Sequence, residues 1–134
     1  MAGWVRIPRD RLVAALLPGL RSIQAVAAAY LFGSSLGEMR PDSDVDVALV
    51  ARLDACDFGL VGEVEAVCRP IDGHPVHATV LSQRDTLFSF RVLTEGVRIY
   101  CVDPDVLTDL IERVALHYEE VGPAYRRALE EIYG

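Results

Sequence analysis

Two short apolar runs constrain the fold of this chain more than any other feature. "VAAAYLF" spans residues 26–32 and "VDVALV" spans residues 45–50. Each run has the length of a β-strand, and apart from Asp46 at the start of the second run, both are apolar on consecutive positions. Strands of this kind are buried on both faces of a sheet, so we expect helices to flank them.

The rest of the chain supplies two more strands and the flanking helices. "VHATVL" (76–81) and "VRIYC" (97–101) are predicted strands. Helical spacing and capping signals predict helices at about residues 9–17, 58–68, 86–95, 104–120 and 124–133. Because helices and strands alternate, the predicted fold class is α/β (α+β), with a small mixed sheet of about four strands and a helical C-terminus.

Local signals predict where two of these helices begin or break. Ser82 with Asp85 resembles a capping pair for the helix over residues 86–95. Gly122-Pro123 is expected to separate the last two helices, because proline lacks the backbone N–H that a helix interior uses.

The length and charge of the chain restrict its class. With 134 residues, 51% of them hydrophobic, we expect residues 1–134 to form one domain around a single core. The net charge is −7, and the 13 basic residues, all arginines, form no stripe along the chain. Such a charge argues against binding nucleic acid through its phosphates.

Hydropathy and cysteine usage indicate a cytoplasmic protein. No run of 18 apolar residues is present, so a membrane span is not expected. The N-terminus lacks the pattern of a secretory signal. The three cysteines, Cys56, Cys68 and Cys101, have neither disulfide nor zinc-site spacing and are expected to be reduced.

Two carboxylates at the start of the second strand form the candidate metal site. Side chains alternate along a strand, so Asp44 and Asp46 are expected on one side, roughly 6 to 7 Å apart. Two such carboxylates suit Mg²⁺, which prefers oxygen ligands and completes its shell with water or substrate phosphates. Of the three nearby aspartates, Asp42 is the expected loop residue.

The first strand ends at Gly33-Ser34, which is a candidate phosphate site. Backbone N–H groups exposed at a strand end can form a concavity that binds an anion. One short loop joins Gly33-Ser34 to Asp44 and Asp46, which would place a triphosphate against a metal ion. This combination is typical of nucleotidyl or phosphoryl transfer.

The segment "GSSLGEMRPDSDVD" resembles the Gly-Ser…Asp-x-Asp signature of the minimal nucleotidyltransferase (MNT) family, in the DNA polymerase β-like superfamily. "FRVLTEGVRIY" and "HYEEVGPAYRRALEEIYG" also resemble the later part of MntA-type antitoxins. The resemblance implies an antitoxin that binds Mg²⁺ and ATP and adenylylates a tyrosine of a HEPN-domain RNase toxin, alone or as part of an oligomer.

The resemblance also assigns roles to individual residues. Gly33, Ser34 and Ser43 would contact the nucleotide. Asp44 and Asp46 would bind metal and act in catalysis. The superfamily uses a third carboxylate on a later strand, and here our placement of it falls on His77, which would accept a proton near neutral pH.

Two departures from the family pattern leave a second interpretation open. Nine residues separate Ser34 from Asp44, one fewer than is common, and Arg40 is the candidate substitute for a loop arginine. Together with His77 in place of a carboxylate, they would suit a degenerate fold that neutralises its toxin by binding alone. Transfer to a small molecule is a third possibility, disfavoured by the short chain.

Other polar residues have structural interpretations. His74 and His77 are not expected to share a metal ion, because positions i and i+3 of a strand point to opposite faces. Asp72 would reach the site only if its loop folds back. We expect His117 to be an exposed helix residue and Arg91 to form a surface salt bridge.

Overall fold

The computed structural model of this protein describes residues 3–52 and 57–133. Within these ranges the four predicted strands are present, and four helices accompany them. The elements, in chain order, are α1 (Arg9–Ser22), β1 (Val26–Leu31), β2 (Val45–Ala51), α2 (Asp57–Val67), β3 (Val76–Val80), α3 (Thr86–Glu95), β4 (Val97–Cys101) and α4 (Pro104–Tyr133). Short 3-10 turns over Gly33–Leu36 and Gln83–Asp85 follow β1 and precede α3.

The strands form one mixed sheet in the order β3-β2-β1-β4. β1 is antiparallel to both β2 and β4, whereas β2 and β3 are parallel. A parallel pair needs a crossover connection, which α2 provides between β2 and β3. The register of that pair places Asp46 directly opposite His77.

Each face of the sheet has its own apolar core, and the alternation along β2 decides which face carries the chemistry. Val45, Val47 and Leu49 pack in the core on the α1–α2 face, whereas Ala48 and Val50 pack in the core on the α3–α4 face. Asp46 therefore lies on the α3–α4 face. The helices contribute buried apolar residues to these two cores, among them Leu12, Leu16, Leu20, Leu60 and Val64 on the first face and Val92, Leu107, Leu110 and Val114 on the second.

The last two predicted helices are one continuous helix, so the predicted break at Gly122-Pro123 is wrong. α4 runs 30 residues with Pro123 inside it. The ring of Tyr118 stacks on Phe90 at a centroid distance of 3.8 Å and anchors the helix to α3 one turn before the proline. Arg126 donates to the Tyr118 hydroxyl across the proline at 3.3 Å. The Arg126–Tyr118 contact therefore bridges the turn in which proline removes one backbone hydrogen bond.

The predicted capping pair before α3 is also wrong. Neither Ser82 nor Asp85 caps a helix with its side chain. Instead, the buried hydroxyl of Ser89 accepts from the Ser82 N–H at 3.1 Å and donates to the Ser82 carbonyl at 2.9 Å. Ser89 thus satisfies both backbone groups of Ser82. A 3-10 turn, closed by the Asp85 N–H donating to the Ser82 carbonyl at 3.2 Å, precedes α3, which begins at Thr86.

Gly96 ends α3 as predicted, and its replacement tests how tightly α3 packs on β1. The Gly96 N–H donates to the Val92 carbonyl at 2.7 Å. A Cβ at this position would lie 2.5 Å from that carbonyl oxygen and 3.0 Å from the carbonyl oxygen of Leu31. Because both are backbone atoms, Gly96→Ala is expected to lower the free energy of unfolding by about 2 kcal/mol, measured by urea denaturation.

Gly62→Ala is the matched control for that experiment. Gly62 lies inside α2, and a Cβ there would meet no atom within 4 Å. Alanine in a helix interior is more favourable than glycine, so Gly62→Ala should leave stability unchanged or raise it slightly. Equal unfolding midpoints for the two variants would contradict the packing described for Gly96.

Within residues 3–52 and 57–133, none of the helices combines the length and the apolar character that crossing a membrane requires. Cys68 and Cys101 are free thiols, the first of them buried. Cys56 lies outside the described residues.

Candidate active site

Asp44 and Asp46 flank the first residue of β2, and the two differ in exposure. Asp44 is exposed just before the strand, whereas the Asp46 side chain is 27% exposed. Val45 between them is fully buried in the α1–α2 core, so the aspartates lie on the other face. Burial raises the pKa of Asp46, and the nearby charge of Asp44 raises it further. A cation at this position would relieve both effects.

His77 lies beside Asp46 on the neighbouring strand. The two residues are Cα partners in the parallel pair, and His77 Nδ1 lies 3.8 Å from Asp46 Oδ1. The imidazole is 55% exposed and opposes the rise in the pKa of Asp46. The structure thus brings together the three residues predicted for catalysis, although the role of His77 as proton acceptor stays a prediction.

Gly33 lies directly over the Asp46 carboxylate. β1 ends in a hydrogen bond from the Phe32 N–H to the Asp46 carbonyl at 3.3 Å, and Gly33 follows with φ +67. A Cβ at Gly33 would lie 3.0 Å from Asp46 Oδ2. The left-handed conformation and this close approach together explain why glycine occupies the position. The first residue of the Gly33–Leu36 turn thereby lies against the Asp46 carboxylate.

Ser34 and Ser43, the other predicted nucleotide contacts, occupy different environments. Ser34 is exposed in the turn after β1, and its carbonyl accepts from the Gly37 N–H at 3.0 Å. The Ser43 hydroxyl accepts from the Arg40 N–H at 3.0 Å, so it already stabilises the loop. The nucleotide contacts of both serines stay predictions.

His74 is hydrogen-bonded to the loop that precedes Asp44, a contact that the sequence did not predict. It is almost fully buried, at 3% exposure, and its Nδ1 donates to the Ser43 carbonyl at 2.8 Å. His74 thus packs under the segment that carries the aspartates, whereas His77 is exposed on β3. The "HPVH" spacing alone does not reveal this contact.

Asp72 does not join the site. It forms an ion pair with Arg11 on α1, with Arg11 Nε 2.8 Å from Asp72 Oδ2, and this hydrogen bond lowers the pKa of Asp72. Among the described residues, no group of three or more histidine, cysteine, aspartate or glutamate side chains is arranged to hold a metal ion. The Asp44–Asp46 pair therefore stays the candidate metal site, without a third ligand of these residue types in the described part of the chain.

Two predictions for residues outside the aspartate site have different outcomes. Arg91 forms a surface salt bridge with Glu95 at 3.1 Å, as predicted. The prediction that His117 is exposed is wrong: it is half-buried, and its Nδ1 is hydrogen-bonded to the Thr86 hydroxyl between α4 and α3.

A cavity of about 530 Å³ opens beside Gly33, on the same face of the sheet as Asp46. This volume lies in the usual range of small-molecule sites. Phe32 and Phe88 meet edge to face in its wall, with centroids 5.3 Å apart. The lining residues are Phe32, Gly33, Leu36, Phe88, Arg91, Val92, Glu95 and Gly96. Sequence reasoning missed this cavity, because its walls come from segments more than fifty residues apart.

Comparison with known families gives one match that spans most of the chain. The family model described as polymerase beta, nucleotidyltransferase matches residues 16–105, which is more than half of the chain. The chain belongs to the polymerase β nucleotidyltransferase family. The matched range includes Gly33-Ser34, both aspartates of the candidate metal site and His77. No curated protein is significantly similar in sequence to this nucleotidyltransferase.

Solved structures with the same fold include toxin–antitoxin complexes. A chain of the MntA–HepT toxin–antitoxin structure matches with TM-score 0.66 and 18% identity, covering 94% of this chain and 100% of that one. A toxin–antitoxin structure with AMP-PNP matches with TM-score 0.65 and 18% identity, covering 96% and 100%. A complex of a tri-AMPylated Shewanella oneidensis HEPN toxin with an MNT antitoxin matches with TM-score 0.61 and 19% identity, covering 93% and 95%.

The raised pKa of Asp46 predicts that this nucleotidyltransferase is less stable at neutral pH than an Asp46→Asn variant. Below the ordinary pKa of aspartate, the folded and unfolded chains are both protonated at Asp46, and burial carries no charge penalty. As pH rises towards the raised folded pKa, the unfolded chain loses its proton first, and the native state is progressively destabilised.

Melting temperatures in EDTA between about pH 4 and about pH 8 test this. The variant should melt a few degrees higher than the wild type near neutral pH, with the difference shrinking towards acidic pH. A difference that is constant or grows towards acidic pH would contradict the assignment.

Proposed function

We propose that this nucleotidyltransferase is an MNT-type antitoxin that uses Mg²⁺ and ATP to transfer AMP to a tyrosine of a cognate HEPN toxin. The observation that carries the proposal is the contact between Gly33 and the Asp46 carboxylate, which joins a phosphate-binding turn to a metal-binding pair. The shared fold with chains of MNT–HEPN complexes, one of them with a tri-AMPylated toxin, supports the partner and the reaction.

Asp44 and Asp46 would bind Mg²⁺. The donor set is suitable, because both groups are carboxylates and magnesium prefers oxygen ligands with water and phosphate completing its shell. Burial raises the pKa of Asp46, so its charged form lacks solvation that a bound cation would replace. When bound, the ion would neutralise phosphate charge and orient the triphosphate for attack.

The turn after β1 and the cavity beside it would bind the nucleotide. In a 3-10 turn the first N–H groups have no partner within the turn, so those of Gly33 and Ser34 suit a phosphate. The aromatic walls at Phe32 and Phe88 would suit the base or ribose. The structure with AMP-PNP among proteins of the same fold supports nucleotide binding in general.

The proposed reaction is an in-line displacement at the α-phosphorus of ATP. The tyrosine oxygen forms a bond to that phosphorus, and the bond from the phosphorus to the bridging oxygen of pyrophosphate breaks. The hydroxyl proton passes to a base, for which His77 is the candidate because it lies beside Asp46 and is exposed to an incoming partner. Pyrophosphate leaves with the electron pair of the broken bond.

Neutralisation by binding alone is the second candidate function. Two points favour it. Our placement of the superfamily's third carboxylate falls on His77, which lies opposite Asp46 in the sheet. The described residues also contain no group of three or more side chains arranged to hold a metal ion. In that case the chain would block its partner without nucleotide. Both functions would operate in the cytoplasm, where the free thiol of Cys68 would remain reduced.

Labelled ATP distinguishes these functions. The purified chain is incubated with Mg²⁺ and a candidate toxin, a small helical HEPN protein encoded beside it. AMP transfer predicts that α-labelled ATP labels the toxin and γ-labelled ATP does not, whereas phosphoryl transfer predicts the reverse. Inhibition of the toxin without ATP and without any labelling would reject the proposed transferase and support binding alone.

A further inference from the structure

A tight turn just before β3 carries the histidine that contacts the aspartate loop. The Ile71 N–H donates to the His74 carbonyl at 2.8 Å, and the His74 N–H donates to the Ile71 carbonyl at 2.9 Å. Between them, Asp72 has φ +51 and Gly73 has φ +84, the two positive values that a type I′ turn requires. Asp-Gly is a preferred pair for this turn, so the local sequence favours the geometry from which His74 emerges.

This turn is anchored in the body of the domain. Ile71 is 5% exposed and belongs to the core on the α1–α2 face. Asp72 is bound by Arg11 on α1. The His74 ring itself is buried, so packing restricts its orientation. The imidazole therefore presents a fixed donor to the loop that precedes β2.

The segment that leads into β3 holds the backbone on both sides of Asp44. A carbonyl oxygen only accepts, so the 2.8 Å contact between His74 Nδ1 and the Ser43 carbonyl requires a proton on Nδ1. On the other side of Asp44, the Val45 N–H donates to the Pro75 carbonyl at 2.8 Å. His74 and Pro75 thus fix the residues immediately before and after this aspartate.

Asp44 depends on such support more than Asp46 does. Asp46 lies within β2, and Gly33 and His77 lie against its carboxylate. Asp44 precedes the strand and is exposed. None of the ion pairs or side-chain hydrogen bonds among the described residues involves the Asp44 carboxylate. The position of Asp44 relative to Asp46 is therefore set mainly through its backbone.

We propose that His74 is a positioning residue for metal binding. Through the Ser43 carbonyl it holds Asp44 where the carboxylates of Asp44 and Asp46 can share one divalent cation. The inference deepens the proposed function and rests on it, since it takes this aspartate pair as the metal site. Groups that orient metal ligands contribute about 10- to 100-fold to metal affinity or activity. Because His74 acts on the backbone beside the ligand, we expect the lower end of that range.

Two substitutions of similar shape test the role of the Nδ1 donor. His74→Asn places an amide N–H where Nδ1 lies, whereas His74→Leu has nearly the same shape as asparagine and no donor. The probe is Mn²⁺ without nucleotide, because this ion takes the same oxygen ligands as Mg²⁺ and its free fraction is measured by electron paramagnetic resonance. His74→Leu is expected to bind Mn²⁺ about tenfold more weakly than the wild type, and His74→Asn within about twofold of it.

Ser89→Ala is the matched control for loss of a buried contact between a side chain and the backbone. Ser89 is fully buried, and its hydroxyl is hydrogen-bonded to both backbone groups of Ser82. Ser82 follows β3, at the other end of the sheet from Asp44. Ser89→Ala should therefore lower stability and leave the affinity for Mn²⁺ unchanged. A loss of affinity equal to that of His74→Leu would show a general effect of stability and overturn the inference.

A measurement on the wild type tests the contact even if a variant does not fold. Long-range nitrogen–proton NMR spectra distinguish protonation of Nδ1 from protonation of Nε2 in each of the three histidines. His74 is expected to carry a proton on Nδ1. A neutral ring protonated only at Nε2 could not donate to the Ser43 carbonyl, and this result would overturn the inference.

The outcomes separate this inference from the function on which it rests. If the wild type binds Mn²⁺ and the two His74 variants bind it equally, whether tightly or weakly, the hydrogen bond to Ser43 does not position Asp44. The inference is then overturned, while the proposed function stands. If Mn²⁺ binding follows the expected pattern but α-labelled ATP labels no toxin, the inference stands and AMP transfer is rejected. Failure of the folded wild type to bind Mn²⁺ at all would reject both.

Discussion

Under the proposed function, replacing Asp46 by asparagine is expected to reduce Mg-dependent AMP transfer to a HEPN toxin by at least about 100-fold. The change keeps the shape of the side chain and removes the charge that would bind the metal. Of the two aspartates, Asp46 is the more buried and the one in contact with both Gly33 and His77. Initial rates with α-labelled ATP and purified partner measure the effect, and a folded variant is verified by its melting temperature.

Asp42→Asn is the matched control for this experiment. Asp42 lies two residues before Asp44, is exposed, and was the aspartate not assigned to the metal. Its removal should leave the rate within about twofold of the wild type, as expected for a surface charge. Equal loss in both variants would indicate a general charge effect. Full transfer by Asp46→Asn would remove the metal site from the mechanism.

The Asp46→Asn variant also separates the two candidate functions. If the chain acts by adenylylation, the variant should fail to neutralise the toxin, because no AMP is transferred. If it acts by binding alone, the variant should inhibit the toxin as well as the wild type does. Toxin activity with and without ATP, at matched concentrations of the two proteins, decides between these outcomes.

Gly33→Ala is expected to lower AMP transfer by up to about tenfold, through displacement of Asp46 rather than removal of its charge. A misplacement of about 1 Å in a catalytic group can cost about 100-fold, and the shift required here is smaller. The new Cβ would lie 3.0 Å from Asp46 Oδ2, so the carboxylate must shift. In addition, φ +67 disfavours any residue with a Cβ, and we expect a loss of about 1 kcal/mol in stability.

The rate of the Gly33→Ala variant is compared with that of Gly62→Ala, the same substitution in α2, far along the chain from the site. A Cβ at Gly62 would meet nothing within 4 Å, so both rate and stability should be preserved. The displacement argument fails if Gly33→Ala retains normal transfer. It also fails if its rate recovers fully in a variant stabilised elsewhere, since the loss would then come from unfolding.

Local patterns were sufficient to predict most elements of this fold. The runs at 26–32 and 45–50 are strands because their side chains are apolar on both faces, and a strand between two cores requires that. The stop of α3 at Gly96 was also predictable from a single residue. By contrast, the predicted break at Gly122-Pro123 is wrong. Tyr118 contacts Phe90 on α3 and, beyond the proline, Arg126 on α4, and the local sequence around Pro123 does not indicate these contacts.

The sequence by itself determined the identity and the spacing of the candidate catalytic groups. Asp44 and Asp46 share a side because strand side chains alternate, and Gly33-Ser34 ends a strand because an apolar run stops there. These are consequences of local geometry with a period of two residues. They hold before any long-range contact forms, which is why the motif could be read without a structure.

Only the tertiary structure decided which residues from elsewhere in the chain reach the site. The parallel register of β2 and β3 places His77 next to Asp46, and the end of β1 places Gly33 over the same carboxylate. Likewise, the bridge between Val5 and Met39 places Trp4 beside Arg40. The register of a strand pair depends on the apolar patterns of both strands, and the Val5–Met39 bridge depends on two segments far apart in the chain. Neither contact can therefore be predicted from one segment alone.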